Sequence, residues 1–388
     1  MVTIEEALKI LTDQQVKLKT EIRNLSECLG FSLSKDIVAS FDMPSFDNSA
    51  MDGYALSGIS KEYIIVGEVA AGDESRVTLK EGEAARIFTG AKVPENTTAV
   101  MMQEKTKTTG NKLFLDQEPR DGQSIRKRGE ELKKGQVVFE KGYTITPAGI
   151  GMIGGLGLDK VEVFKKPVIN LITTGNELVL PGKEKQEGQI YESNSFALAS
   201  ACEKYGFKCI DKKQIEDDFK AIKAGIKESL EHTDVLILSG GISVGDYDFV
   251  KQALEENGVE ELFYKVFQKP GKPLYFGRKG DKFVFALPGN PASSLSCFYI
   301  YVLPLLYKLS GSSKTGLERY TFSASHDFEN RSDRPSFLKV KIENNEVEIL
   351  DGQGSSMIRS MALGNALAFL DAETSVKKGD LIICYLIS

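Results

Sequence analysis

Between residues 167 and 311, short apolar runs alternate with longer stretches of helical period. Residues 168–172, 208–210, 235–238 and 283–287 read as strands. Residues 194–205 read as a helix stopped by Gly206, and a second helix runs from a cap at Asp217 or Asp218 to about His232. A third is capped by Asp246 or a neighbour and runs through Phe249 and Leu254 to Gly258. A fourth opens on Pro291, where the first helical turn tolerates proline, and reaches Leu309 with a bend at Pro304. This alternation predicts a mostly parallel sheet with helices on both faces.

The flanks carry other periods. Thr3 and Glu6 form a capping box for a helix bearing Ile4, Ala7, Leu8 and Leu11. A short amphipathic piece spans 25–29. Residues 41–56, FDMPSFDNSAMDGYAL, hold too much Pro, Asn, Asp and Gly for regular structure. They also carry Phe41, Met43, Phe46, Met51 and Tyr54, which predicts an ordered loop packed on something. Alternating runs at 63–69, 84–88, 99–103 and 113–115 predict a small β domain over about 61–140. Arg126, Lys127 and Arg128 at its end suit a solvated turn. Residues 145–164 read as a glycine-rich helix and a strand. Gly149, Gly151, Gly154 and Gly155 each cost that helix ~1 kcal/mol against alanine, which close backbone packing would offset. Runs at 320–323, 336–342, 346–350, 366–370 and 381–387 predict a separate C-terminal β domain.

At ~100–200 residues per domain, 388 residues make two to four domains. The net charge of −6 argues against a broad nucleic-acid or membrane surface. No run of 18 apolar residues occurs, so no transmembrane helix is expected. The start carries Glu5 and Glu6 and lacks a basic then apolar signal, so a cytoplasmic protein is expected. The cysteines Cys28, Cys202, Cys209, Cys297 and Cys384 include no C-x-x-C pair, against a disulfide framework or a zinc ribbon. With His232 and His326 the only histidines, acid, base or metal chemistry falls mostly to carboxylates and lysines.

Three motif-bearing loops follow strands: TTGNE after Ile172, SGGISVGD after Leu238 and PGNP after Leu287. In an open α/β sheet such loops meet at the carboxyl ends of the strands, where ligands bind. Ser239, Gly240, Gly241 and Gly245 form a turn leading to a helix N-terminus, which suits an anion. Asp246 and Asp248 beside it suggest a metal between carboxylate and phosphate. The spacing is neither the Rossmann nor the P-loop pattern, and such glycines also serve close helix–sheet packing. Asp52, Glu177, Asp217 and Asp248 lie on loops or caps; converging, they would hold a hard cation such as Mg²⁺. Lys265, Lys269 and Lys272 sit on a Pro-Gly-stiffened loop that favours an oxyanion, and Ser293 and Ser294 add hydroxyls at a helix N-terminus.

FDNSAMDGYA, FTGAKVPENTTAVMMQE, IRKRGEE, TTGNELVLPG, GQIYESNS, SGGISVGDYDF, KPGKPLYFG, LPGNP and GQGSS occur in one order and span nearly the whole chain. Together they resemble the molybdopterin molybdenumtransferase family, which includes bacterial MoeA and the gephyrin E domain. The resemblance implies an α/β plus β, multi-domain, elongated chain acting as a homodimer. Its expected parts are a helix at 1–20 packing on the α/β domain, a linker and dimerisation domain at 21–41 and 136–166, and a small β domain at 42–135. An α/β domain at 167–311 and a C-terminal β domain at 312–388 complete it. It implies Mg²⁺-linked insertion of molybdenum from molybdate into adenylylated molybdopterin, with release of AMP.

By motif, Asp52 and Thr89 would reach in from the partner subunit. Glu177, Asp217 and Asp248 would handle Mg²⁺ and phosphate, with Gly240, Gly241, Ser243 and Gly245 in the substrate turn. Lys265 and Lys269 would stabilise negative charge. Pro288 and Pro291 would shape the floor, and Lys272, Ser293 and Ser355 would bind molybdate. Lys339 stands where an arginine is expected beside molybdate; it keeps the charge but loses the two-pronged donor. Glu216 stands where a basic residue is more usual, which leaves Asp217 and Asp218 both open as the site carboxylate. A molybdopterin adenylyltransferase and apo-molybdoenzymes are the implied handover partners. Competing readings are a tungstate-inserting homologue, a molybdopterin adenylyltransferase and a non-catalytic scaffold.

Overall fold

The computed structural model describes residues 1–73, 77–242 and 249–387. The chain divides into two compact units, one of Met1–Ser34, Gly142–Pro147 and Lys160–Ser388, the other of Lys35–Lys141 and Ala148–Asp159.

The larger unit is built on a six-stranded sheet. Its order is Cys209–Ile215, Ile169–Thr174, Val235–Ser239, Lys282–Leu287, Tyr275–Lys279, Glu260–Tyr264. The first four strands are parallel; Tyr275–Lys279 runs antiparallel to them, and Glu260–Tyr264 antiparallel to it. Successive residues of a strand point to opposite faces, and here both faces are apolar. Val235, Ile237, Phe283 and Phe285 enter one core; Leu236, Leu238, Val284 and Ala286 enter another. That double burial explains why these strands read as unbroken apolar runs. The edge strand Cys209–Ile215 extends beyond the expected 208–210 because its charged residues Asp211, Lys212 and Lys213 give no apolar run. The two strands at the other edge, Glu260–Tyr264 and Tyr275–Lys279, flank the stiff loop that holds Lys265, Lys269 and Lys272.

Thr3 and Glu6 make the reciprocal cap: the Glu6 amide donates to Thr3 Oγ1 at 3.1 Å and the Thr3 amide to Glu6 Oε2 at 2.8 Å. The helix Ile4–Asp13 so started buries Ile4, Ala7 and Leu11 in the first core. The apolar helix Pro291–Leu309 is long enough to cross a bilayer by length and composition, but it is mostly buried in the same core. A π-helical stretch, Phe298–Val302, precedes Pro304 and loosens the ladder where the proline ring would meet a carbonyl. The piece at 25–29 is only a 3₁₀ turn, Leu25–Glu27.

Five strands, Arg319–Ala324, Glu346–Ile349, Ser336–Glu343, Ala366–Leu370 and Leu381–Leu386, close a C-terminal barrel. It has its own core around Val340, Val347 and Cys384, but Phe337, Leu367 and Ile387 pack into the core of the α/β sheet.

In the second unit the sheet order is Ala99–Met102, Gly53–Leu56, Glu83–Ile87, Glu62–Val69, Lys112–Leu115, Thr106–Thr109. Segment 41–56 therefore does contain regular structure, since Gly53–Leu56 is an inner strand. Gly53 is required there: a Cβ would strike the Met101 carbonyl of the neighbouring strand. The basic triplet is not merely solvated. Lys127 Nζ and the Arg128 amide donate to Asp47 at 3.0 and 2.7 Å, and Arg128 Nε donates to Asp42 at 2.6 Å, tying down the 41–56 segment. Phe41, Phe46 and Met51 nonetheless stay more than a third exposed. In the helix Pro147–Gly155, a Cβ on Gly151 would meet nothing within 4 Å among the described residues, so close packing does not explain that glycine.

Replacing Thr3 by alanine removes half of the capping box. Stability measured by chemical denaturation is expected to fall by about 1 kcal/mol.

Candidate functional site

At the carboxyl ends of the parallel strands lies a cleft of about 540 Å³. Thr173 and Thr174, Ser239 to Ile242, and Pro288 to Pro291 reach it from three consecutive strand ends, with Glu177, Glu192, Asn194 and Asp217 around them. The glycine turn is a matter of clearance. Gly240 and Gly241 have φ of +100° and +63°, and a Cβ on Gly240 would lie 2.5 Å from the Thr174 carbonyl oxygen.

Polar side chains stitch the strand-end loops together. Asn194 Nδ2 donates to Ser239 Oγ at 2.9 Å and to the Gly289 carbonyl at 2.7 Å. Ser239 and Ser294 hydroxyls lie 3.2 Å apart. Glu192, nearly fully buried, accepts from the Ser195 amide at 2.8 Å and its hydroxyl at 2.6 Å, anchoring the helix Asn194–Lys204.

The choice between the paired acids is made by the helix Phe219–Glu231. Asp218 is its N-cap and accepts from the Ala221 amide at 2.8 Å. Asp217 is left to line the cleft, its amide donating to Asn176 Oδ1 at 3.0 Å. Burial first, and the Glu177 carboxylate second, push the Asp217 carboxyl above its ordinary value.

Of the residues singled out by sequence, Glu177, Asp217, Gly240, Gly241, Pro288 and Pro291 meet in this cleft. Ser243, Gly245 and Asp248 lie outside the described residues. The lysines do not line it. Lys265 sits at φ +66°, its ammonium 4.7 Å from the Tyr264 ring centroid, while the Tyr264 hydroxyl donates to the Ile242 carbonyl at 3.3 Å. Lys269 lines a smaller cavity of about 260 Å³ with Arg331 and Gln353, and Lys272 is exposed on the same loop. Buried Gln268 holds that loop, donating to the Pro270 carbonyl at 3.0 Å. Ser293 is buried; its amide donates to the Ser355 carbonyl at 3.2 Å. Lys339 is buried in the barrel, away from the cleft lining.

Asp52 and Thr89 belong to the other unit and form a pair of their own. The Thr89 amide and hydroxyl donate to Asp52 Oδ1 at 2.7 and 2.9 Å, which lowers the Asp52 pKa. Arg86, between the Tyr54 and Phe88 rings, adds to that lowering.

Residues 2–157 match the MoeA N-terminal region (domain I and II), residues 170–308 a probable molybdopterin binding domain, and residues 322–387 the MoeA C-terminal region (domain IV). The molybdopterin molybdenumtransferase of Haemophilus influenzae is 37% identical over 320 residues, 81% of this chain and 79% of that protein. The chain belongs to the molybdopterin molybdenumtransferase family. The enzyme of that name from a Nostoc species is 34% identical over 322 residues, 79% of this chain and 73% of its own. A crystal structure of the molybdopterin biosynthesis moeA protein from Pyrococcus horikoshii OT3 covers 100% of both chains, with a TM-score of 0.85 and 30% identity.

In this molybdenumtransferase-family chain, Glu192, Asn194, Asn290 and Ser356 also line the cleft, and motif reading assigned none of them. GQIYESNS, LPGNP and GQGSS were among the ordered motifs, so all four residues had a signal. What it lacked was any chemistry to separate a ligand contact from a staple.

A carboxyl whose pKa is raised on folding binds its proton more tightly in the folded state. Its ionisation therefore costs stability once the pH passes the ordinary value of 3.8. Asp217→Asn is expected to raise the melting temperature at pH 7, and the gain should vanish below pH 3.8, where both forms are neutral. A variant less stable than the parent at pH 7 would contradict this electrostatic picture.

Proposed function

We propose that the chain transfers molybdenum from molybdate to adenylylated molybdopterin, releasing AMP and molybdenum cofactor. One observation carries the reading. Glu177 and Asp217 both line a strand-end cleft beside a helix N-terminus, the Glu177 charge pushing the Asp217 carboxyl up, and no lysine or arginine is among the described residues lining it. Carboxylates alone repel a phosphate. Carboxylate oxygens are the ligands Mg²⁺ takes, so Glu177 and Asp217 could hold a hard divalent cation whose charge would offset that repulsion.

Glu177 and Asp217 fit that role, with Asp248 added by its place in the motif. Mg²⁺ bound there would supply neutralisation of charge on the pyrophosphate link. The chain's own groups do the rest. The dipole of the Pro291–Leu309 helix favours an anion at the floor formed by Pro288 and Pro291. Asn194 fixes the spacing of two of the loops that receive the substrate. Lys265, Lys269 and Lys272, held on their stiff loop, add positive charge for oxyanions. The working form on this reading is a homodimer, which sedimentation would show.

Glu177→Gln and Asp217→Asn are each expected to slow single-turnover AMP release by about 10²-fold, a magnitude typical of lost transition-state electrostatics. Both should also need more Mg²⁺ for half-maximal rate. Parental rates and parental Mg²⁺ dependence in both variants would overturn the assignment.

A further inference from the structure

Lys339 is 2% exposed and makes no ion pair among the described residues. A buried cation is costly unless its donors are matched. All three are matched here, by backbone. Lys339 Nζ donates to the carbonyls of Gly352 at 2.7 Å, Gly354 at 2.9 Å and Met357 at 3.3 Å. Gln353 clamps the same residue from the other side. It accepts from the Lys339 amide at 3.0 Å and donates to the Lys339 carbonyl at 2.8 Å.

The loop held in this way, 352–357, connects the barrel to the cleft. The Ser355 carbonyl accepts from the Ser293 amide at 3.2 Å, and Ser355 Oγ accepts from Asn290 Nδ2 at 3.0 Å. Ser293 and Asn290 stand at the N-terminus of the Pro291–Leu309 helix, and Ser356 lines the cleft itself. The ammonium is thus two links from the ligand space and has no donor left to enter it.

The geometry points to Lys339 as a positioning residue: its ammonium ties loop 352–357 to the barrel strand Ser336–Glu343 and so sets Ser355 and Ser356 against the cleft, without touching the ligand. Three carbonyls converging on one nitrogen suit an ammonium. The planar fork of a guanidinium spreads its donors apart and cannot meet them together. The inference rests on the transferase reading for its kinetic consequence, but not for its structural one.

Amide hydrogen exchange tests the structural part directly. In Lys339→Met the Ser293, Met357 and Ile358 amides should exchange at least about tenfold faster, with the Ile169–Thr174 and Val235–Ser239 strands unchanged. Unchanged exchange at those three amides in folded protein overturns the proposal. Should Lys339→Met fail to fold, Lys339→Arg keeps the charge but cannot meet the three carbonyls together, and the same two outcomes at the same amides decide. In the transfer assay, Lys339→Met should raise the KM for molybdate about tenfold and leave kcat within about threefold. Its effect should be non-additive with Ser355→Ala, since both act through one loop. Lys339→Arg should not restore the parental KM. If it does, the side chain reads the ligand itself and the proposal fails. Absence of molybdate-dependent turnover in the parent would sink the transferase reading and leave the exchange result standing.

Discussion

Three central parallel strands packed by apolar side chains on both faces can offer a polar ligand nothing but their ends. Val235, Ile237, Phe283 and Phe285 fill one side, and Leu236, Leu238, Val284 and Ala286 the other. Every group with chemistry is therefore pushed to loops beyond Thr174, Ser239 and Leu287. Those loops must be held from outside the sheet, because no regular ladder continues there. Asn194 bridging Ser239 and Gly289, Asp218 capping the helix beside Asp217, and the barrel loop resting on Ser293 are three solutions to that one problem. The site is as rigid as these polar contacts make it.

The same constraint decides what could be read from sequence. Doubly buried strands announce themselves as apolar runs, and their loops as glycine and proline clusters, so the sheet and the convergence of TTGNE, SGG and PGNP were legible. The barrel strands were legible by alternation, and the first helix by Thr3 and Glu6. The edge strand Cys209–Ile215 was only half visible, because an edge meets water and carries Asp211, Lys212 and Lys213. Gly53–Leu56 was hidden for a different reason. Its glycine fits under a neighbouring carbonyl, and its flanking acids are bound by Lys127 and Arg128 from more than 70 residues away. Nothing local encodes such a contact.

Roles were harder to read than positions. Asp217 and Asp218 are alike as letters, and only the helix start separates a cap from a cleft residue. Lys339 reads as a charge near an oxyanion, yet its environment converts it to a cross-link, since backbone carbonyls take every donor. Charge along a sequence does not say where a donor is spent. The cleft lining illustrates the consequence: in a chain with three lysines on a neighbouring loop, the described lining carries carboxylates, amides and hydroxyls but no lysine or arginine. An anionic ligand there needs a countercharge from outside that described lining.

The most direct measurement is AMP release from adenylylated molybdopterin by the intact chain with Mg²⁺, with and without molybdate. The account predicts release that depends on molybdate and is accompanied by formation of molybdenum cofactor. Release at the same rate without molybdate, or binding of the pterin with no release in either condition, would contradict it.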